Sequence, residues 1–225
     1  MLNTSTQEVD IWCSRIEEAY GSYLELLLAG DRDECSRIIT RLLDNGIPIR
    51  TLYVELLQRS MYEVGELWEH NRISVAREHL ATSVTEFLLT LVYPRIFAAE
   101  HCGRSAIVAC IANEYHQLGA KMVADILELN GWDGYFLGAN APVTELLSLI
   151  EVKQPHLLAL SLSVYFNLPA LLDSVAVVRQ AFPKLPVVVG GQAFRWGGSD
   201  SLARFPGVTC LESIGQMEEL IGRFS

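Results

Sequence analysis

Positive charge is in short supply in this 225-residue sequence: 17 Lys and Arg stand against 27 Asp and Glu, for a formal net charge of −10. Binding a phosphate backbone needs a basic surface, so this balance argues against direct contact with nucleic acid. The longest charge-rich stretch, Asp31 to Glu34, is mixed in sign. Paired cysteines are lacking too. Cys13, Cys35, Cys102, Cys110 and Cys210 are odd in number and contain no C-x-x-C, which fits free thiols in a reducing compartment and not a zinc or disulfide frame. No apolar run is long enough for a membrane: the richest, Leu157 to Val164, is broken by Ser161 and Ser163. The stretch Met1 to Asp10 has neither the basic nor the apolar segment of a secretory leader. The G-x-G-x-x-G of dinucleotide sites is absent. These absences together predict a soluble cytoplasmic protein that spans no membrane.

What is present is enough apolar material for a core. Half the residues are hydrophobic, a fifth are charged, and the mean hydropathy is +0.24, which excludes disorder. The length suits two domains. Residues from about 8 to 98 carry apolar residues at helical spacing, punctuated by Gly30, Asn45-Gly46 and the string Glu69 to Ile73. Asp31 and Ser74 are expected caps, and a third helix follows Pro48. Short connections imply antiparallel neighbours, so residues 1–100 read as a helical bundle.

From Ser105 the period changes. Short apolar runs at Ala106–Ala112, Tyr135–Leu137, His156–Val164, Val187–Val189 and Val208–Leu211 alternate with helical stretches at Ala120–Leu129, Thr144–Val152, Ala170–Phe182 and Gly215–Phe224. Such alternation predicts a five-stranded parallel sheet, a Rossmann-like (flavodoxin-like) α/β domain over residues 104–225. Ligands of such domains bind beyond the carboxyl ends of the strands. The loops to read are therefore 113–119, 138–142, 165–167 and 190–198.

The first of these loops is Asn113-Glu114-Tyr115-His116-Gln117-Leu118-Gly119. A metal-bound histidine usually donates its second ring N–H to a carboxylate, and Glu114 is spaced to receive it from His116. Gly119 would let the backbone approach something bulky, or open the next helix tightly. A plain surface histidine in a βα loop is the other reading of these residues.

Glu114-x-His116-x-x-Gly119 resembles the D-x-H-x-x-G signature of methionine-synthase-type cobalamin-binding domains, with Glu in place of Asp. Ser161-Leu162-Ser163 resembles that family's serine element beside the buried nucleotide tail, and Gly190-Gly191 its glycine pair where the tail passes close to backbone. A strand-end serine and a simple tight turn are the alternatives for these two. The helical half is similar to the family's cap over the corrin. The resemblance covers roughly residues 30 to 220. It implies cobalamin as ligand, with His116 as lower cobalt ligand and Glu114, Gly119, Ser161, Ser163, Gly190 and Gly191 around the cofactor.

Trp68, nine intervening residues, then Glu78-His79 resemble the W-x9-E-H element of the cobalamin photoreceptors that repress carotenoid genes. The resemblance implies that Trp68 packs on an upper adenosyl group that Glu78 and His79 help to hold. An indole offers a broad flat face, and a carboxylate can accept ribose hydroxyl hydrogen bonds. A tryptophan filling the bundle core is the other reading. Unlike those repressors, the sequence shows no basic recognition helix, and Glu69 stands where they have a second histidine, with His70 one place on.

The expectation is an adenosylcobalamin-dependent sensor with no catalytic residues, not an enzyme, signalling to a downstream protein. A corrinoid shuttle of a methyltransferase system is the alternative. The resemblance also admits a bilin such as biliverdin as second chromophore, although no residue specifies its site. Leu24, Leu26, Leu27 and Leu28 make the first helix apolar enough to pack on another subunit, so a homo-oligomer is expected.

Overall fold

The structure, a computed structural model, describes residues 6–224. Residues 1–5 of the stretch read for a leader lie outside the described residues. The chain divides into two compact units, one ending at Pro94 and the other beginning at Arg95. Among the described residues no helix is long and apolar enough to cross a membrane.

The first unit is helical: α1 (Thr6–Ala29), α2 (Arg32–Asp44), α3 (Ile49–Thr51), α4 (Arg59–Glu69) and α5 (Val75–Thr90), with the short α6 (Tyr93–Ile96) at the boundary. Asp31 caps α2 by accepting the Glu34 N–H at 3.0 Å, and Ser74 caps α5 through the Arg77 N–H. The buried face of α2 (Cys35, Ile38, Ile39, Leu42, Leu43) has the spacing of one helical stripe. It packs with α1 and α5 around Tyr23, Leu27, Leu52, Leu56 and Leu88, all fully buried. In α1, Leu27 is buried, while Leu24, Leu26 and Leu28 are half-buried. The helix expected after Pro48 contains a π-helical stretch, Leu52–Gln58, between α3 and α4. The Ser60 hydroxyl lies 2.7 Å from the Leu56 carbonyl and 3.0 Å from that of Leu57, serving acceptors at the end of the wider turn.

The second unit alternates β1 (Ser105–Ile111), α7 (Leu118–Leu129), β2 (Asp133–Ala141), α8 (Val143–Lys153), β3 (Leu157–Ser161), α9 (Leu168–Ala181), β4 (Val187–Gly190), β5 (Val208–Leu211) and α10 (Ile214–Ile221). All pairings are parallel, in the order β2-β1-β3-β4-β5, which is the expected five-stranded Rossmann-like sheet. Every residue of β1 is buried, because helices cover both faces. Ile107, Ala109 and Ile111 pack with Leu146, Ile150, Leu171, Val175 and Val178 of α8 and α9. Ala106, Val108 and Cys110 face Ala120, Ala124 and Leu127 of α7 and Met217 and Ile221 of α10.

Two strands differ from the sequence reading by more than one residue at an end. β2 is far longer than Tyr135–Leu137; it runs to Ala141 through register shifts against β1, turning at Gly138, whose φ is +84°. β3 stops at Ser161 and does not reach Val164, because the N–H groups of Ser163 and Val164 turn away to a side chain of another loop. The chain leaves β1 toward β2 on one side and returns to β3 on the other. That reversal opens a crevice between the loops after β1 and β3, the usual ligand position in such sheets.

Candidate functional site

The loop after β1 turns sharply at Asn113, whose φ of +66° is left-handed. The Glu114 side chain enters the crevice and is completely buried, while the His116 side chain is 61% exposed. One Glu114 oxygen lies 2.6 Å from His116 Nδ1 and accepts the His116 main-chain N–H at 3.0 Å. The other accepts the N–H groups of Ser163 and Val164, both at 2.9 Å. Burial alone would raise the carboxyl's pKa. The hydrogen bonds from the His116 ring and from the Val164, His116 and Ser163 main chain overcome it and hold the pKa at about 2. Glu114 is therefore ionised, and Nδ1 is the ring nitrogen that carries a proton toward it. A carboxylate at Nδ1 turns the other ring nitrogen, Nε2, away from the loop, the orientation a metal-ligating histidine needs.

Around this pair the other expected residues fall in place unevenly. Ser163 is joined to Glu114 directly. Ser161 pairs across the ladder with Cys110 on one side and Gly190 on the other, below the same crevice. Gly191 has φ +119°, and a Cβ there would meet the Leu162 carbonyl oxygen at 2.2 Å. The glycine is thus demanded by the protein's own backbone. Gly119 is the second residue of α7, and a Cβ there would meet nothing within 4 Å. Its absence leaves open space beside the loop, so the helix start does not require it.

In the helical unit, Trp68 lies in the last turn of α4 and is 46% exposed, which rules out the core-filling reading. His70 ends that helix with Nδ1 donating to the Glu66 carbonyl at 2.8 Å. One oxygen of Glu78, in the first turn of α5, accepts the Thr82 hydroxyl at 3.0 Å; the other is hydrogen-bonded to His79 Nδ1. The structure joins Glu78 to His79 and leaves the indole on the preceding helix end.

Sequence reasoning passed over three asparagines in the loops it marked. The Asn113 N–H donates to Asn140 Oδ1 at 2.8 Å, the Asn140 N–H donates to the Glu114 carbonyl at 2.8 Å, and Asn167 Nδ2 donates to the Asn113 carbonyl at 3.2 Å. The only local signal was the tolerance of asparagine for left-handed backbone, which Asn113 and Asn140 both adopt.

Comparison with known proteins places both units in B12-binding families. A family described as the B12 binding domain matches residues 104–220, and a second family of the same description matches residues 20–93. The HTH-type transcriptional repressor CarH of Myxococcus xanthus is 29% identical over 175 residues, 77% of this chain and 58% of the repressor. The repressor CarA of the same organism is 34% identical over 126 residues, 55% of this chain and 43% of its own length. The chain thus spans only about half the length of these repressors. Among solved structures, the monomethylamine corrinoid protein of Methanosarcina barkeri superposes with a TM-score of 0.78, covering 93% of this chain and 100% of that one at 13% identity. The methanol:cobalamin methyltransferase complex of the same organism gives 0.51, covering 100% and 86% at 15% identity. At such identities the likeness to both structures is one of fold.

Proposed function

The chain belongs to the B12-binding family, and from that premise we propose that it is an adenosylcobalamin-dependent light sensor that signals to a protein partner. The residues fit the cofactor. A lower cobalt ligand needs an exposed imidazole whose other nitrogen is held by a carboxylate, and His116 on the buried Glu114 fits that need. Open space over Gly119 leaves room for a bulky group beside the ligand.

The observation that carries the reading is the hydrogen bond between a fully buried, ionised Glu114 and an exposed His116 at the sheet's switch point. His116 would hold the cobalt through Nε2, and Glu114 would orient the ring through Nδ1. Ser161, Ser163, Gly190 and Gly191 line the crevice that receives the nucleotide tail. When bound, adenosylcobalamin supplies a cobalt–carbon bond that light can break. Trp68 would offer its exposed indole to the adenosyl group, and Glu78, braced by Thr82 and His79, would accept its ribose hydroxyls. Light-driven loss of that group would leave Trp68 and Glu78 without their ligand and would bias the helical unit toward a second state that the partner reads. The protein acts in the cytoplasm as a homo-oligomer and performs no catalysis. A bilin would be an additional chromophore.

The test is the absorption spectrum of the protein reconstituted with adenosylcobalamin in the dark and after illumination, with size-exclusion chromatography of both. A histidine-ligated dark spectrum that converts in light, with a change in size or partner binding, is expected, and Trp68→Ala should abolish the preference for the adenosyl form. Binding indifferent to the upper group, with ready reduction and methylation of the cobalt, would overturn the sensor in favour of a methyl-transfer shuttle.

A further inference from the structure

The dipeptide Asn113–Glu114 has all of its main-chain polar groups engaged. The Asn113 N–H donates to Asn140 Oδ1 and the Asn113 carbonyl accepts from Asn167 Nδ2. The Glu114 N–H donates to the Ile111 carbonyl at 3.0 Å, and the Glu114 carbonyl accepts the Asn140 main-chain N–H. The partners come from the carboxyl ends of β1 and β2 and from the turn after β3, so three loops are tied at one point. Two of the residues, Asn113 and Asn140, hold left-handed backbone (φ +66° and +51°), a conformation that surrounding contacts must maintain. Only past this knot does the chain reach Tyr115 and the exposed His116.

We propose that Asn140 and Asn167 are positioning residues for the His116 ligand, aiming its ring before cobalamin arrives. The inference rests on the proposed cobalamin function. A ligand on a free loop would have to be ordered at the moment of binding, and outer partners that orient a metal-ligating histidine commonly account for 10- to 100-fold in affinity. The two asparagines act through opposite ends of their amides. Asn140 uses its oxygen as acceptor, so aspartate can replace it; Asn167 uses its nitrogen as donor, so aspartate sets an oxygen against the Asn113 carbonyl.

The experiment compares wild type, Asn140→Ala, Asn140→Asp and Asn167→Asp, each first checked for an unchanged far-ultraviolet circular dichroism spectrum. Two readouts are taken: cobalamin affinity with the fraction of histidine-ligated cobalt from absorption, and the His116 Nδ1–H resonance of the cofactor-free protein by NMR. Asn140→Asp should stay within a few-fold of wild type in both. Asn140→Ala and Asn167→Asp should lose roughly 10-fold or more in affinity, shift cobalt toward the histidine-off form, and broaden or lose the Nδ1–H signal. Wild-type affinity and wild-type ligation in both would overturn the proposal. If wild type itself takes up no cobalamin, the proposed function fails, and NMR alone then judges the latch: an Nδ1–H as well protected in Asn140→Ala as in wild type overturns it too.

Discussion

A fully buried carboxylate is costly to ionise, and Glu114 is ionised because N–H donors surround it: the ring and main chain of His116, and the main chain of Ser163 and Val164. Its pKa of about 2 in the folded chain lies below the ordinary 4.5. A depressed carboxyl contributes stability that is fully present above its unfolded value and is lost as pH falls through the folded one. The contribution, on the order of 3 kcal/mol, should therefore be complete above pH 4.5 and fade toward pH 2. Glu114→Gln turns an amide N–H₂ toward donors. We expect it to lower the unfolding free energy of the cofactor-free protein by about 3 kcal/mol at pH 7 in urea titrations. The gap should narrow in acid; a gap independent of pH would contradict the ionised assignment. The pairing of Glu114 with His116 was readable from two-residue spacing. The donors on Ser163 and Val164 were not, because nothing local marks a main-chain N–H as released from its strand.

At the scale of elements, two glycines with similar sequence credentials separate. Gly191 sits at φ +119° with the Leu162 carbonyl in the place of its missing Cβ. Gly191→Ala should lower the thermal midpoint markedly, by the equivalent of about 2–3 kcal/mol, with or without cofactor. Gly119 has ordinary helical backbone and open space around it. Gly119→Ala should leave the cofactor-free protein as stable or up to about 1 kcal/mol more stable, since alanine favours helix, while weakening cobalamin binding if the cofactor occupies that space. Calorimetry and a binding titration on the same two variants check both. The strands and helices themselves were largely legible, since a buried run such as β1 or a stripe such as that of α2 repeats within a few residues. The exceptions were elements whose limits depend on distant partners. β2 extends through register shifts against β1, β3 ends where Glu114 takes its next donors, and the π-helical stretch in Leu52–Gln58 lies within an unbroken apolar pattern.

For the whole molecule, a ligand that binds only the folded chain stabilises it by mass action, about 2.7 kcal/mol at a hundredfold excess over its Kd. Adenosylcobalamin in the dark should raise the thermal midpoint accordingly, and His116→Ala should remove most of that rise, from a cofactor-free midpoint that is itself lowered because the buried Glu114 carboxylate loses the ring as a donor. An unchanged rise in His116→Ala would show that the histidine does not hold the cobalt. The net charge of −10 likewise belongs to this scale: it sets the long-range field that any charged partner meets.

By itself the sequence determined the helical first half, the alternating second half and the Glu114–His116 pair, because periodicity and short spacing are properties of neighbours along the chain. The tertiary structure alone decided which groups close around that pair. Ser163 lies 49 residues from Glu114, Asn140 27 from Asn113, and Asn167 54 from Asn113. Groups so far apart leave no period in a sequence, and only the parallel sheet, by bringing the carboxyl ends of β1, β2 and β3 to one edge, makes them a site.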